Sequence, residues 1–204
     1  MDKILWVRWD SISMWARDLE KWGWVSRLYN YLWQKFLREN ADYGAVYNLG
    51  IDWDTSDWVL KRFDVEAESR QPNIIIFAIG SNDCTIIDNK EATIPLDIFQ
   101  KNIATLTEKA KKFTDKIMFV WPITCDETKS NPIAWAPELS QDMSTTSKYN
   151  DVIKSFCEAN TILFINMLDV LNVQDLEDGV HPTAQWHEKM YIRIRDILLE
   201  KKFI

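Results

Sequence analysis

The chain is poor in glycine and cysteine, has no surplus of basic residues and contains no long hydrophobic run. Glycine accounts for 5 of its 204 residues and tryptophan for 11, although average glycine usage is about 7%. The formal net charge of −7 argues against a general nucleic-acid-binding protein, because no cationic excess is available to neutralise phosphates. The apolar stretch within the N-terminal residues MDKILWVRWD is short and is followed by Arg and Asp, so it is not expected to be a signal peptide or a membrane span.

The cysteine pattern and the chain length limit the class of protein. Cys84, Cys125 and Cys157 are scattered and form no CxxC pair. This odd, dispersed set argues against a disulfide framework and a zinc site, and it predicts a reducing, cytoplasmic location. A length of 204 residues with 47% hydrophobic and 27% charged residues predicts one globular domain spanning residues 1–204.

Short apolar runs rich in β-branched residues alternate with longer segments of helical spacing. The runs predict buried strands over residues 4–7, 45–49, 73–79, 116–120 and 162–165. The longer segments predict helices over residues 25–39, 54–70, 96–112, 144–159 and 184–203. This alternation predicts a three-layer α/β/α domain around a five-stranded parallel sheet. Ligands of such folds bind beyond the carboxyl ends of the strands, so the Pro-containing loop 124–143 is expected to wall a site.

Polar motifs follow the first three predicted strands and open the last helix. Taken singly, an Asp-Ser pair is more often a helix cap, an Asn-Asp pair is more often a turn, and Asp-x-x-His before proline is a typical start of a helix. Because all of these motifs are expected at one edge of a parallel sheet, the set is stronger evidence for a functional site than any single motif. The motifs are DSIS at 10–13, NLGIDWDTS at 48–56, GSND at 80–83 and DGVHP at 178–182.

Together these motifs supply the parts of an acyl-transfer site. A serine such as Ser11 becomes an effective nucleophile when an imidazole accepts its proton and a carboxylate holds that imidazole in the right tautomer. Asp178 and His181 provide such a pair. The tetrahedral oxyanion then needs fixed donors, which the Asn82 amide and backbone N–H groups near Ser11 and in the second motif are placed to supply. His187, inside the last predicted helix, is expected to be structural.

In their order and spacing, these motifs resemble those of the SGNH hydrolases, also called the GDSL esterase/lipase family. The stretch KWGWVSRL and the loop TCDETKSNPIAW resemble its intracellular bacterial acylhydrolase branch, so the resemblance spans nearly the whole chain. It implies a flavodoxin-like α/β fold and hydrolysis of small acyl or acetyl esters without a metal or an organic cofactor. It further implies Ser11 as nucleophile, Asp178 and His181 as the other triad members, and an oxyanion hole at Ser11, Trp53 and Asn82.

Two other functions remain open from the sequence. One is a non-catalytic binding protein on the same fold, with the triad residues kept and the pocket filled by Trp9, Trp15 and Trp53. The other is a flavin- or nucleotide-binding flavodoxin-like domain. This second function is disfavoured because the loop after the first strand has no phosphate cradle and the chain has neither a GxGxxG motif nor a P-loop.

The chain departs from the family pattern chiefly by carrying tryptophan where the family has glycine. We hypothesise that each of these positions is encoded by UGA, a codon that some bacteria read as tryptophan and a few as glycine. The organism would then insert glycine where the sequence shows tryptophan. A divergent family member with native aromatic replacements is the alternative, disfavoured because the changes concentrate on glycine sites. The positions are Trp9, Trp15, Trp22, Trp53 (on the oxyanion-hole glycine), Trp121 and Trp186.

The gene sequence tests this hypothesis directly. We expect UGA codons at Trp9, Trp53 and Trp186, and UGG codons at Trp24 and Trp135, which match family tryptophans. Sequencing the gene across these positions is the measurement. UGG codons at Trp9, Trp53 and Trp186 would show that the aromatic residues are native.

Overall fold

A computed structural model describes residues 3–8, 10–14, 16–39, 41–121, 124–170 and 172–204. Trp9 and Trp15, singled out above, lie outside the described residues. In the described part of the chain the elements follow one another as β1 (Lys3–Arg8), α1 (Gly23–Glu39), β2 (Gly44–Asn48), α2 (Ser56–Arg70), β3 (Ile74–Phe77), β4 (Ile86–Ile87), β5 (Glu91–Ala92), α3 (Leu96–Ala110), β6 (Ile117–Trp121), α4 (Glu127–Ser130), β7 (Leu139–Ser140), α5 (Met143–Asn160), β8 (Leu163–Asn166), a 3₁₀-helix (Val173–Asp175) and α6 (Ala184–Glu200).

A five-stranded parallel sheet with the order β2-β1-β3-β6-β8 forms the centre of the described structure. Val7 of β1 stands opposite Asn48 of β2 on one side and Ile76 of β3 on the other. The strands are apolar because both faces of the sheet are covered by helices. The central strand β3 shows this best, since all four of its residues, Ile-Ile-Ile-Phe, are buried.

The helices form layers on the two faces of the sheet, as right-handed β-α-β connections require. Helix α1 packs against α6, whereas α2, α3 and α5 pack against one another in chain order. Aromatic contacts join these layers to the sheet, for example between Trp6 of β1 and Phe63 of α2, whose ring centroids are 6.2 Å apart. The predicted three-layer α/β/α fold with a parallel sheet is therefore confirmed.

The predicted strands and helices are all present, with ends shifted by up to three residues. The largest shift is at the last helix, predicted over residues 184–203, which ends at Glu200. Lys202 adopts a left-handed conformation with φ 56°, and Phe203 N–H donates to the Leu198 carbonyl. This left-handed turn stops the helix, although the apolar spacing continues to Phe203.

A second, small antiparallel sheet was not predicted from the sequence. Its strands lie in the order β5-β4-β7, and Ile86 of β4 pairs with both Ala92 and Ser140. Each of these strands is two residues long, too short to show an alternating pattern. The sheet joins the loop after β3 to loop 124–143, so it fixes the position of the loop that was expected to wall a site.

The described tryptophans at glycine positions differ in how the fold accommodates them. Trp22 has a left-handed backbone with φ 59° and is exposed, a conformation that favours glycine. Trp121 is buried directly against Gly80, where an added Cβ would collide with the indole ring. Trp186 is buried in α6, and its indole N–H has no hydrogen-bond partner in the described structure. A buried donor without a partner typically lowers the free energy of unfolding by about 1–3 kcal/mol.

Among the described residues, no helix combines the length and the apolar character needed to cross a bilayer.

Candidate active site

The predicted catalytic side chains form one continuous hydrogen-bonded chain. Ser11 follows β1, whereas Asp178 and His181 precede α6. Ser11 Oγ is 3.1 Å from His181 Nε2, and His181 Nδ1 is 2.9 Å from Asp178 Oδ2. An ionised carboxylate only accepts, so Nδ1 carries the proton and Nε2 is left to accept the Ser11 hydroxyl hydrogen. This is the tautomer that a general base for Ser11 requires.

Asp178 has donors on both carboxylate oxygens. Oδ1 accepts the backbone N–H groups of Val180 and His181, at 3.1 and 2.8 Å. Oδ2 accepts from His181 Nδ1 and also from Trp135 Nε1 and Arg17 Nη2, at 3.2 and 3.3 Å. Burial opposes ionisation, but the His181 side-chain and backbone hydrogen bonds outweigh it and hold the pKa of Asp178 well below its ordinary value. The carboxylate is therefore ionised and fixed in orientation.

The turn that carries Ser11 is held by short-range bonds and by the second motif. The Asp10 carboxylate accepts the Ile12 N–H at 3.0 Å, and the Asn48 side-chain amide donates to the Ser13 carbonyl at 2.6 Å. Gly50 lies so close that an added Cβ would stand 2.9 Å from the Asp10 carbonyl oxygen. A side chain at residue 50 would therefore displace the turn that carries Ser11.

The expected oxyanion positions lie beside Ser11 in a cleft. Ser11, Trp53, Asn82 and His181 all line this cleft. The Asn82 amide nitrogen donates one hydrogen to the Asp54 carbonyl at 2.9 Å, which leaves its second hydrogen available. Trp53 has a left-handed backbone with φ 65°, so the family glycine position keeps a glycine-like conformation although its residue is tryptophan.

Two indoles stand at the mouth of the cleft. The Trp53 and Trp135 ring centroids are 5.7 Å apart in an edge-to-face arrangement, and the Trp135 centroid is 6.0 Å from that of His181. Both side chains are about half exposed, at 49% and 45%. Trp53 therefore lines the rim of the cleft and does not fill it.

The bond from loop 124–143 to Asp178 was not predicted from the sequence. Trp135 lies in that loop and donates to Asp178, while Ile133 and Gln141 line the cleft. The loop was expected to wall a site, but its bond to the Asp178 carboxylate was not foreseen because the two residues lie 43 positions apart in the chain. Trp135 belongs to the segment TCDETKSNPIAW, which resembles the family. That resemblance was the sequence feature that could have indicated a role for Trp135 at the site.

His187 lies outside this hydrogen-bonded chain. It is buried in α6, and its Nε2 is 3.2 Å from the Ala16 carbonyl oxygen. Burial lowers its pKa to about 4, because the charged imidazolium would lose its hydration. His187 thus supports the loop after Ser11 as a neutral donor.

Comparison with known proteins identifies the family. The sequence model of the GDSL-like Lipase/Acylhydrolase family matches residues 10–189, a span that contains every motif described above. The chain belongs to this family. The resemblance inferred from the motifs is confirmed, and membership places the chain among the carboxylic ester hydrolases.

Solved structures from several bacteria share the fold. A lipase/acylhydrolase from Enterococcus faecalis superposes with a TM-score of 0.75 at 19% identity, covering 98% of this chain and 96% of that one. An acetylxylan esterase from Geobacillus stearothermophilus gives 0.72 at 19% identity, with 95% and 93% covered. A GDSL-like lipase from Bacteroides thetaiotaomicron gives 0.69 at 23% identity, with 98% and 89% covered. At such identities the likeness shows the fold alone.

No curated protein matches the sequence significantly.

Replacing His187 with glutamine is expected to reduce the acid sensitivity of the fold. Because its folded pKa, about 4, lies below the unfolded value of about 6.5, the neutral histidine stabilises the protein above pH 6.5. That stabilisation is lost as the pH falls towards 4 and is on the order of 2–3 kcal/mol. The His187→Gln variant lacks this group, so its free energy of unfolding should fall less between pH 7 and pH 4. Denaturant titration at several pH values measures this.

The same variant should keep its esterase rate at pH 8 within about threefold, because His187 does not line the cleft. Parallel stability curves for the two proteins would contradict the assignment of His187 as a buried neutral group.

Proposed function

We propose that this family member is a serine hydrolase that cleaves acyl or acetyl esters through an acyl-enzyme on Ser11. The observation that carries the proposal is the chain of hydrogen bonds from Ser11 Oγ through His181 to Asp178, beside an open cleft. His181 serves as general base and Asp178 holds the imidazole and stabilises the imidazolium. The oxyanion hole comprises the Ser11 and Trp53 N–H groups and the Asn82 amide.

In the first half of the reaction, Ser11 Oγ attacks the ester carbonyl carbon while His181 Nε2 takes the hydroxyl proton. The carbonyl π bond opens and the oxygen becomes an oxyanion, which the three donors stabilise because they are already fixed in position. The tetrahedral intermediate then collapses, the bond to the alkoxy oxygen breaks, and the leaving alcohol takes the proton from His181. The acyl group remains on Ser11.

In the second half, water replaces the alcohol. His181 takes a proton from the water as it attacks the acyl carbon, and the second tetrahedral intermediate releases the carboxylic acid while Ser11 Oγ regains its proton from His181. The proposal needs no metal and no organic cofactor. The proposed substrate is a small acyl ester. The net charge of the chain, −7, disfavours nucleic acid as a ligand. The proposal places the reaction in a single domain of residues 1–204 and in the cytoplasm.

A specific observation favours the alternative of a catalytically impaired or non-catalytic binding protein for the chain as written. Trp53 combines a left-handed backbone with an indole at the mouth of the cleft. A non-glycine residue in this conformation is strained by on the order of 1–3 kcal/mol, and the indole narrows the entrance to the cleft that Ser11 lines. Both effects reduce turnover without changing the fold.

Removal of the triad hydroxyl or imidazole is expected to abolish ester hydrolysis. Ser11→Ala and His181→Ala should each lower kcat by a factor on the order of 10⁴ or more, and the double variant should be little worse because the two groups act as one unit. Asp178→Asn should lose a similar or smaller factor. Hydrolysis of p-nitrophenyl acetate and longer esters, with a serine-directed phosphonate as active-site titrant, measures these losses.

The expected losses are local, so Ser11→Ala should leave the free energy of unfolding nearly unchanged. A Ser11→Ala variant with most of its activity would show that Ser11 is not the nucleophile. Losses that multiply in the double variant would contradict a shared mechanism.

Glycine at position 53 is expected to raise esterase activity. Trp53→Gly relieves the left-handed strain and opens the cleft while keeping the backbone N–H, so kcat/KM should increase. Misplacement of one oxyanion donor costs roughly 10²–10³ in rate, which sets the upper limit of the gain. The measurement is kcat/KM on p-nitrophenyl acetate.

Trp22→Gly provides the matched control, because Trp22 is similarly exposed, at 53%, and has the same left-handed backbone, with φ 59°, but does not line the cleft. It should leave kcat/KM unchanged and raise the free energy of unfolding by on the order of 1 kcal/mol through relief of strain. A slower enzyme after Trp53→Gly would show that this tryptophan is a native functional residue.

A further inference from the structure

Asp83 is a buried ionisable residue that the proposed mechanism does not use. It is the last residue of the GSND motif, directly follows Asn82, and is fully buried. Its two carboxylate oxygens are 3.0 and 3.2 Å from the backbone nitrogen of Ser56, and Oδ1 is 2.5 Å from the Ser56 hydroxyl oxygen. A buried carboxylate that receives two hydrogen bonds from one residue of another segment is a specific cross-link, because burial without such donors would be strongly unfavourable.

The residue that Asp83 binds is the first residue of helix α2. Thr55 stands at the N-cap position of this helix, but it makes no side-chain capping bond within the described structure. The Asp83 carboxylate accepts instead the N–H of Ser56, the first helical residue, from outside the helix. Its negative charge also lies at the positive end of the α2 dipole, where an anion is favourable.

The segment just before α2 carries one proposed oxyanion donor, and the residue before Asp83 carries another. The Asn82 amide donates to the Asp54 carbonyl at 2.9 Å, and Asp83 binds Ser56 two residues later. Asn82 and Asp83, which are adjacent in one loop, therefore each form a hydrogen bond to the segment that follows Trp53. On the other side, Arg62 of α2 pairs with the Asp54 carboxylate.

Resting on the proposed function, we propose that Asp83 is a positioning residue that fixes the separation between the Trp53 N–H and the Asn82 amide, the two oxyanion donors that lie outside the nucleophile turn. It acts by holding the N-terminus of α2 against the loop after β3 and does not touch the substrate.

The surrounding bonds fix the direction of this cross-link. Asn102 of α3 donates its amide hydrogens to Ser56 Oγ at 2.8 Å and to Asp57 Oδ1 at 2.6 Å, so the Ser56 hydroxyl hydrogen is directed to Asp83. Burial raises the pKa of Asp83 to about 6, and the charge of Asp57 acts in the same direction. At pH 8 Asp83 is therefore ionised and both of its oxygens accept.

A double-mutant cycle between Asp83 and Asn82 separates positioning of the oxyanion hole from general support of the fold. At pH 8, Asp83→Ala should lower kcat by roughly 10- to 100-fold with little change in KM, since a displaced donor acts on the transition state. In the Asn82→Ala background the same change should cost only a few-fold, because one of the two donors is already missing. Asp83→Asn keeps one acceptor for the Ser56 N–H and should recover most of the loss.

Hydrogen exchange gives a readout that does not depend on turnover. Amides of residues 54–60 should exchange faster in Asp83→Ala than in the wild type. Thr107→Val serves as the control, because Thr107 is buried on α3 and its hydroxyl bonds only within that helix in the described structure, to Ile103. It should change neither kcat nor exchange in residues 54–60.

The outcomes distinguish this proposal from the proposed function. Fully multiplicative losses in the Asn82 and Asp83 cycle, or unchanged exchange over residues 54–60, would overturn the positioning role while leaving the Ser11 mechanism intact. A Ser11→Ala variant that stays active would overturn the mechanism, and the exchange result would still decide whether Asp83 holds α2. If Asp83→Ala does not fold, the cycle and the exchange measurement are made with Asp83→Asn, for which partial effects of the same sign are expected.

Discussion

The hydrogen bond between Ser11 and His181 joins residues 170 positions apart, and the rest of the site depends on it. It forms because β1 and the loop before α6 end at the same edge of the sheet. In a parallel sheet every strand delivers its carboxyl end to one edge, so the motifs after β1, β2 and β3 meet there without any local sequence contact. The order β2-β1-β3-β6-β8 places β1 between the strands that supply the other two motifs.

Two carboxylates at this edge, partly buried Asp178 and fully buried Asp83, have different surroundings. Asp178 receives donors from His181, Trp135 and Arg17, so its pKa stays low and it remains an anion beside the imidazole. Asp83 is fully buried, and burial outweighs its hydrogen bonds from Ser56 and raises its pKa to about 6. The two aspartates thus differ in pKa because their surroundings differ: one carboxylate is hydrogen-bonded to the His181 imidazole, and the other joins the loop after β3 to helix α2.

Much of this arrangement was predictable from the sequence, for physical reasons. Runs such as Ile74–Phe77 are apolar throughout because a parallel sheet is covered on both faces, and that pattern is visible in the sequence. The Ser11, Asp178 and His181 set was identified through short motifs. The bond from Trp135 to Asp178 and the sheet of β4, β5 and β7 were not, because each depends on how distant loops pack, and neither leaves a periodic signal.

Two of the tryptophans have a backbone conformation that their side chains do not favour. Residues 22 and 53 keep left-handed backbones, with φ 59° and 65°, because the surrounding turns determine the path of the chain whatever residue occupies them. Their indoles project to the surface, where space is available, so the fold forms with either residue. At residue 53, which lines the cleft, the left-handed conformation is one that glycine adopts without strain. The rim of the cleft at residue 53 therefore has a backbone geometry that tryptophan retains but does not favour.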